Sequence, residues 1–146
     1  MRCCVPREPG IARIAGQVSE PTFLTLDEVR RIHERSLAEH GGSEGTRDPG
    51  LVESALASAK NSFYYAHGDV FDIAAAYAFH LAESQAFVDG NKRTAVASAM
   101  AFLARNGAYA QPAKWELYLA MIDVAEKKIT KADLANIFRQ CAEQKD

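Results

Sequence analysis

An all-α bundle of about six helices is the fold that the sequence predicts, and three observations point to it. Apolar residues recur at helical spacing in six stretches of the chain. Each stretch is bounded by capping residues, glycine or proline. Strand-like composition is confined to one aromatic run, Ser62 to Val70.

The first helix starts after Thr25, which forms a capping box with Glu28; Leu26, Val29, Ile32, His33 and Leu37 follow at its period, and Gly41-Gly42 ends it. Asp48-Pro49 opens the second, which carries Leu51, Val52, Ala55 and Leu56 and is expected to run to about Ala59. The aromatic run, broken by Gly68-Asp69, reads as a small β-hairpin flap, with Phe63, Tyr64 and Tyr65 as its exposed aromatics. Phe71 to about Ser84 is apolar on nearly all sides and reads as a central buried helix. A fourth helix runs from about Asn91 through Ala95, Ala99 and Leu103 to Asn106-Gly107. The fifth, near Ala113 to Ala125, presents Trp115, Leu117, Tyr118 and Met121; the sixth opens on Thr130 and Asp133 and carries Leu134, Ile137 and Phe138. Residues 1–21 show no sustained period and read as a flexible N-terminal arm ahead of a single domain over 22–146.

With 146 residues the chain is long enough for one ordinary domain. Seventeen basic against nineteen acidic side chains give a net charge of −2, so no global basic field exists to grip a nucleic-acid backbone, and direct nucleic-acid binding is not expected. Any polyanion must be bound locally. Cys3, Cys4 and Cys141 are odd in number and form no CxxC pair, which suits reduced thiols in a cytoplasmic protein. The N-terminal stretch lacks a signal-peptide core and no apolar run reaches 18 residues, so neither export nor membrane attachment is expected.

The chemistry is concentrated in Ala86-Phe87-Val88-Asp89-Gly90-Asn91-Lys92-Arg93, between the two most apolar helices. A glycine just before a helix start lets backbone N–H groups converge, and the helix dipole adds partial positive charge, so Gly90 and Asn91 form a candidate anion nest. Lys92 and Arg93 add a point charge and a planar fork for phosphate oxygens, and Asp89 can hold the Mg²⁺ that accompanies a nucleotide. On spacing alone, a turn capped by Asn91 with two solvated cations explains the loop equally well.

Phe87-Val88-Asp89-Gly90-Asn91-Lys92-Arg93-Thr94-Ala95 resembles the H-x-F-x-[DEN]-[GA]-N-[GK]-R signature of the Fic/Doc (Fido) superfamily, and in particular its death-on-curing (Doc) branch. Phe23-Leu24-Thr25, Gly41-Gly42, Arg47-Asp48-Pro49-Gly50-Leu51 and Phe102-Leu103-Ala104-Arg105-Asn106-Gly107 also resemble Doc segments, in the same order. The resemblance covers roughly Thr22 to Phe138. It implies a Fido helical fold whose loop binds ATP with Mg²⁺, and a flap, here Phe63 to Val70 with Phe63, Tyr64 and Tyr65, that docks a target backbone by strand addition. Fic loops typically carry glycine where this chain has Lys92 and arginine where it has Val96. The resemblance therefore implies phosphorylation of a target hydroxyl rather than AMP transfer. It further implies the toxin of a toxin–antitoxin pair, with a translation elongation factor as target. No [S/T]-x-x-x-E-[G/N] inhibitory hexapeptide occurs in the chain, so the implied inhibitor is a separate Phd-like antitoxin acting in trans.

Gln85 departs from the family pattern, because it stands where the family has the histidine that takes the proton of the attacking hydroxyl. An amide has no usable pKa and can orient a hydroxyl without acting as its base. The expected catalytic set is thus Gln85, Asp89, Lys92 and Arg93, with activity impaired at Gln85. Three readings of Gln85 stay open: a natural loss that leaves a non-catalytic nucleotide- or protein-binding module, an inactivating change selected during cloning of a toxic gene, or an active variant with altered chemistry.

Overall fold

Reciprocal caps set the helix starts. In this computed structural model, which describes residues 13–14, 17–18, 20–108 and 114–143, Thr25 Oγ1 accepts the Glu28 N–H at 3.2 Å while Glu28 Oε1 accepts the Thr25 N–H at 2.8 Å. These bonds start α1 (Leu26–His40). Asp48 Oδ1 accepts the Gly50 N–H at 2.9 Å and, with Pro49 in the first turn, starts α2 (Pro49–Tyr64). Asp69 and Asp72 form the same reciprocal pair ahead of α3 (Val70–Ser84). After α4 (Asn91–Arg105) and α5 (Lys114–Ala125), Thr130 and Asp133 do so again at α6 (Lys131–Glu143). The six expected helices are all present, in the expected order.

Helix α3 is the hub: it packs against α2, α4, α5 and α6, while α1 lies on α4 and α2. Ala74 to Ala78 are all fully buried, and the four alanines among them let neighbouring helices approach closely. Tyr77 is the large exception. Its hydroxyl accepts the Leu24 N–H at 3.0 Å, and burial pushes its pKa up to about 12. Asn106, at the end of α4, closes the same edge by accepting the Thr22 N–H at 2.8 Å and donating to Thr22 O at 3.1 Å. Phe102, Phe138, Leu134 and Met121 fill the space between these helices.

One expectation is corrected. The run from Ser62 to Val70 is not a hairpin: α2 continues through Tyr64, five residues beyond the expected end at Ala59. The turn that follows is closed by Tyr65 and Ala66 N–H groups donating to Asn61 O and by Gly68 N–H donating to Ser62 O. Tertiary packing overrides β-propensity here, because a helical Phe63 and Tyr64 bring their rings 6.1 and 5.9 Å from that of Phe23. Ahead of these helices, Arg13–Ile14 (β1) pairs antiparallel with Gln17–Val18 (β2). Residues 1–12, with Cys3 and Cys4, and the side chains of Trp115 and Tyr118 lie outside the described residues. Among the described residues no helix is long and apolar enough to cross a membrane.

The cap of α1 is tied to the end of α4 by an ion pair between Glu28 and Arg105. The Arg105 guanidinium and the Thr25 N–H hold the Glu28 carboxyl down at about 2, from an ordinary value of 4.5. A carboxyl depressed in the fold contributes stability above its unfolded pKa and loses it as pH falls toward the folded one. Unfolding by urea should therefore show stability falling between about pH 4.5 and 2, and Glu28→Gln should remove about 1 kcal/mol at pH 6 while flattening that fall.

Candidate functional site

Residues 85–90 carry the chain from α3 to α4, and their backbone is bent at both ends. Gln85 closes α3 in the left-handed region at φ 50° and ψ 44°, and Gly90 precedes α4 at φ 79° and ψ 19°. Between them Ala86 and Phe87 are buried, and the Phe87 ring stacks on His33 of α1 at 3.9 Å and 11°. Asn91 brackets the anchor from the other side: its Oδ1 accepts the Phe87 N–H and its Nδ2 donates to Phe87 O, both at 3.0 Å. The Asn91 side chain thus holds the loop and is not free for a ligand.

No side chain caps α4, so the N–H groups of Asn91, Lys92 and Arg93 in its first turn are left for a partner. The expected nest is shifted by one residue, because the Gly90 N–H is taken by Asp89 Oδ1 at 2.8 Å. The other Asp89 oxygen accepts the Ser43 N–H at 3.2 Å. These two amides, helped by Arg93 and His33, hold the Asp89 carboxyl below the ordinary carboxylate range. It is exposed and ionised, and each oxygen keeps a lone pair for a cation. Among the described residues no cluster of three or more His, Cys, Asp or Glu could hold a metal without other ligands.

An extended strap, residues 41–48, runs beside the loop. Arg47 and Asp48 N–H donate to Ala86 O at 2.7 and 3.2 Å, Val88 N–H donates to Gly45 O at 3.0 Å, and Thr46 pairs antiparallel with Phe87. Arg93 reaches back to it, donating from Nη2 to Gly41 O at 3.1 Å and from Nε to Ser36 Oγ at 3.4 Å. All strap residues are exposed. The segment bordering the loop is therefore this strap rather than Phe63 to Val70. Phe63, Tyr64 and Tyr65 sit at the opposite end of α2, about 20 Å along its axis from Pro49, and do not line the site.

A cleft of about 1120 Å³ opens over the N-terminus of α4. The structure brings together there Gln85, Asp89, Gly90, Asn91, Lys92 and Arg93, the full loop set expected from sequence. Gln85 is exposed, and its side chain makes no hydrogen bond among the described residues. The cleft has a polar end at the loop and an apolar end built from Ile32, Val96, Ala101, Leu117 and Met121. Sequence reasoning missed the α1 wall, Arg35, Ser36, Glu39 and His40, although their spacing of three to four residues with Ile32 marks one helical face. His80 points elsewhere, as expected, with its Nε2 3.1 Å from Lys131 Nζ. Burial and that cation lower its pKa.

Gly42 shows how tightly strap and loop fit. At φ 125°, a Cβ there would stand 2.9 Å from both Asp89 Oδ2 and Leu37 Cδ2, whereas one on Gly41 would meet nothing within 4 Å. Both positions have positive φ, at 80° and 125°, which costs a side chain on the order of 1–3 kcal/mol. Gly42→Ala should cost more than Gly41→Ala in urea unfolding, and it should shift the Asp89 resonances in an NMR spectrum further than Gly41→Ala does.

Comparison with known proteins agrees with this geometry. The Fic/DOC family model matches residues 23–103, more than half of the chain. Over 85 residues the chain is 34% identical to a protein named "Protein kinase doc" of Escherichia phage P1, covering 58% of this chain and 68% of that protein. Over 69 residues it is 45% identical to a protein named "Toxin Doc" of Mycolicibacterium smegmatis, covering 46% of this chain and 53%, about half, of that protein. The matched span runs from Phe23, just before α1, to the last turn of α4 and contains the loop, the strap and both walls of the cleft's polar end. The chain belongs to the Fic/Doc family, on its Doc branch.

Proposed function

We propose that the protein is a Doc-type toxin scaffold that holds ATP with Mg²⁺ over the first turn of α4 and presents its γ-phosphate to a hydroxyl of a target protein. One observation carries this reading: uncapped α4 amides, Lys92, Arg93 and the Asp89 carboxylate converge on one end of a cleft large enough for a nucleotide. The names of the Doc relatives, a kinase and a toxin, support phosphate transfer and a toxin's role.

In the transfer, the target oxygen bonds to the γ-phosphorus as the bond to the β,γ-bridging oxygen breaks and ADP leaves, and the hydroxyl proton passes to solvent water for want of a base at Gln85. Lys92 and Arg93 would stabilise the charge that develops on the phosphate oxygens, and Asp89 would hold the Mg²⁺, which supplies further neutralisation when bound. Gln85 lies on the rim where a hydroxyl would enter and can orient it but not take its proton. The strap is the better docking edge for the target, because the N–H and C=O groups of Glu44 and Thr46 have no backbone partner among the described residues. A Phd-like antitoxin acting in trans would lay an apolar segment, folded on binding, into the other end of the cleft.

A second reading, a nucleotide- or protein-binding module without catalysis, is favoured by Gln85 itself. The two are separated by Gln85→His. Histidine is enriched in the left-handed conformation that residue 85 adopts, so the substitution suits the backbone. Restoring the base should raise phosphorylation of a translation elongation factor by on the order of 10²–10⁴-fold and arrest growth. If the histidine form is as harmless as this chain, the toxin reading fails. Arg93→Ala should weaken Mg²⁺–ATP binding about tenfold to a hundredfold in calorimetric titration, the loss expected for a charge-assisted contact to phosphate.

A further inference from the structure

We propose that His33, which lies outside the loop and outside the family signature, is a positioning residue that sets the shape of the anion-binding turn. The inference rests on the proposed nucleotide site. His33 is on α1, is 4% exposed, and touches the loop in two ways. Its ring stacks on Phe87 at 3.9 Å, and its Nε2 is 2.8 Å from Asp89 O. A carbonyl oxygen can only accept, so Nε2 carries the proton and donates. The bond fixes the peptide between Asp89 and Gly90.

That peptide decides where the α4 amides point. With Asp89 O held toward α1, the Gly90 N–H is directed to Asp89 Oδ1 at 2.8 Å, and Gly90 takes the left-handed turn into α4. The N–H groups of residues 91–93 then face the cleft. A Cβ on Gly90 would come within 3.5–3.8 Å of Leu37 and His33, so α1 also forms the surface against which this turn rests. Asn91 orders the Phe87 peptide, but among the described residues only His33 grips the Asp89 carbonyl.

Two substitutions separate positioning from packing. His33→Phe keeps an aromatic ring against Phe87 and removes the donor; His33→Gln loses the stack and carries an amide nitrogen to about the place of Nε2. Each folded variant, checked by circular dichroism, would be titrated with Mg²⁺–ATP, and the amides of 88–93 followed by ¹⁵N relaxation without nucleotide. His33→Phe should bind about fivefold to tenfold more weakly and show new motion at residues 89–92, the effect of one lost hydrogen bond. His33→Gln should recover most of the affinity and the order of the loop even if it melts earlier. Equal affinity and order in His33→Phe and the unsubstituted protein, or a loss in His33→Gln as large as in His33→Phe, would overturn the inference. Failure of the unsubstituted protein to bind nucleotide would instead remove the proposed function, and the relaxation comparison would still decide the role of His33.

Discussion

A polar loop lodged between two buried helices must satisfy its own backbone, and that constraint shapes everything around the cleft. Ala86 and Phe87 are out of reach of water, so their N–H and C=O groups need partners in the protein. Partners come from three directions: the strap gives its amides to Ala86 O, Asn91 closes on both polar groups of Phe87, and α1 contributes His33 to the Asp89 carbonyl. With these bonds made, the first turn of α4 still has no side-chain cap.

The same arrangement separates holding the loop from using it. None of the bonds that fix residues 86–91 involves the side chain of Gln85, which projects from a left-handed residue at the end of α3. The position is held by main-chain geometry alone. A change of chemistry there leaves the bonds of residues 86–91 in place, so the cleft keeps its shape whatever side chain stands at that position. Asp89 is different. It bridges strap and loop through Ser43 and Gly90, and its carboxylate has a structural duty beside any cation it holds.

Much of this was legible in the chain. Capping pairs such as Thr25 with Glu28 and Thr130 with Asp133 act within one turn, so the helix starts could be read directly. Apolar periodicity marked α3 and α4 as the core, and the run from Asp89 to Arg93 marked the site because its residues are adjacent in sequence. The aromatic run after Ser62 was misread for a physical reason. Its β-propensity is local, whereas the ring of Phe23 that draws Phe63 and Tyr64 into a helix lies 40 residues away. The pairing of Thr46 with Phe87 and the reach of His33 to Asp89 are hidden for the same reason, since both cross the fold.

The sequence by itself determined the helical class, the helix starts, the position of the loop and the identity of the groups it offers, because caps, periodicity and a glycine turn depend on residues a few positions apart. Tertiary structure decided which segment borders the loop, which face of α1 walls the cleft, and that Asn91 and the Gly90 N–H are spent on the loop itself. These outcomes depend on hydrogen bonds and ring contacts between residues some 40 to 60 positions apart, whose pairing exists only once α1, α3 and α4 have packed.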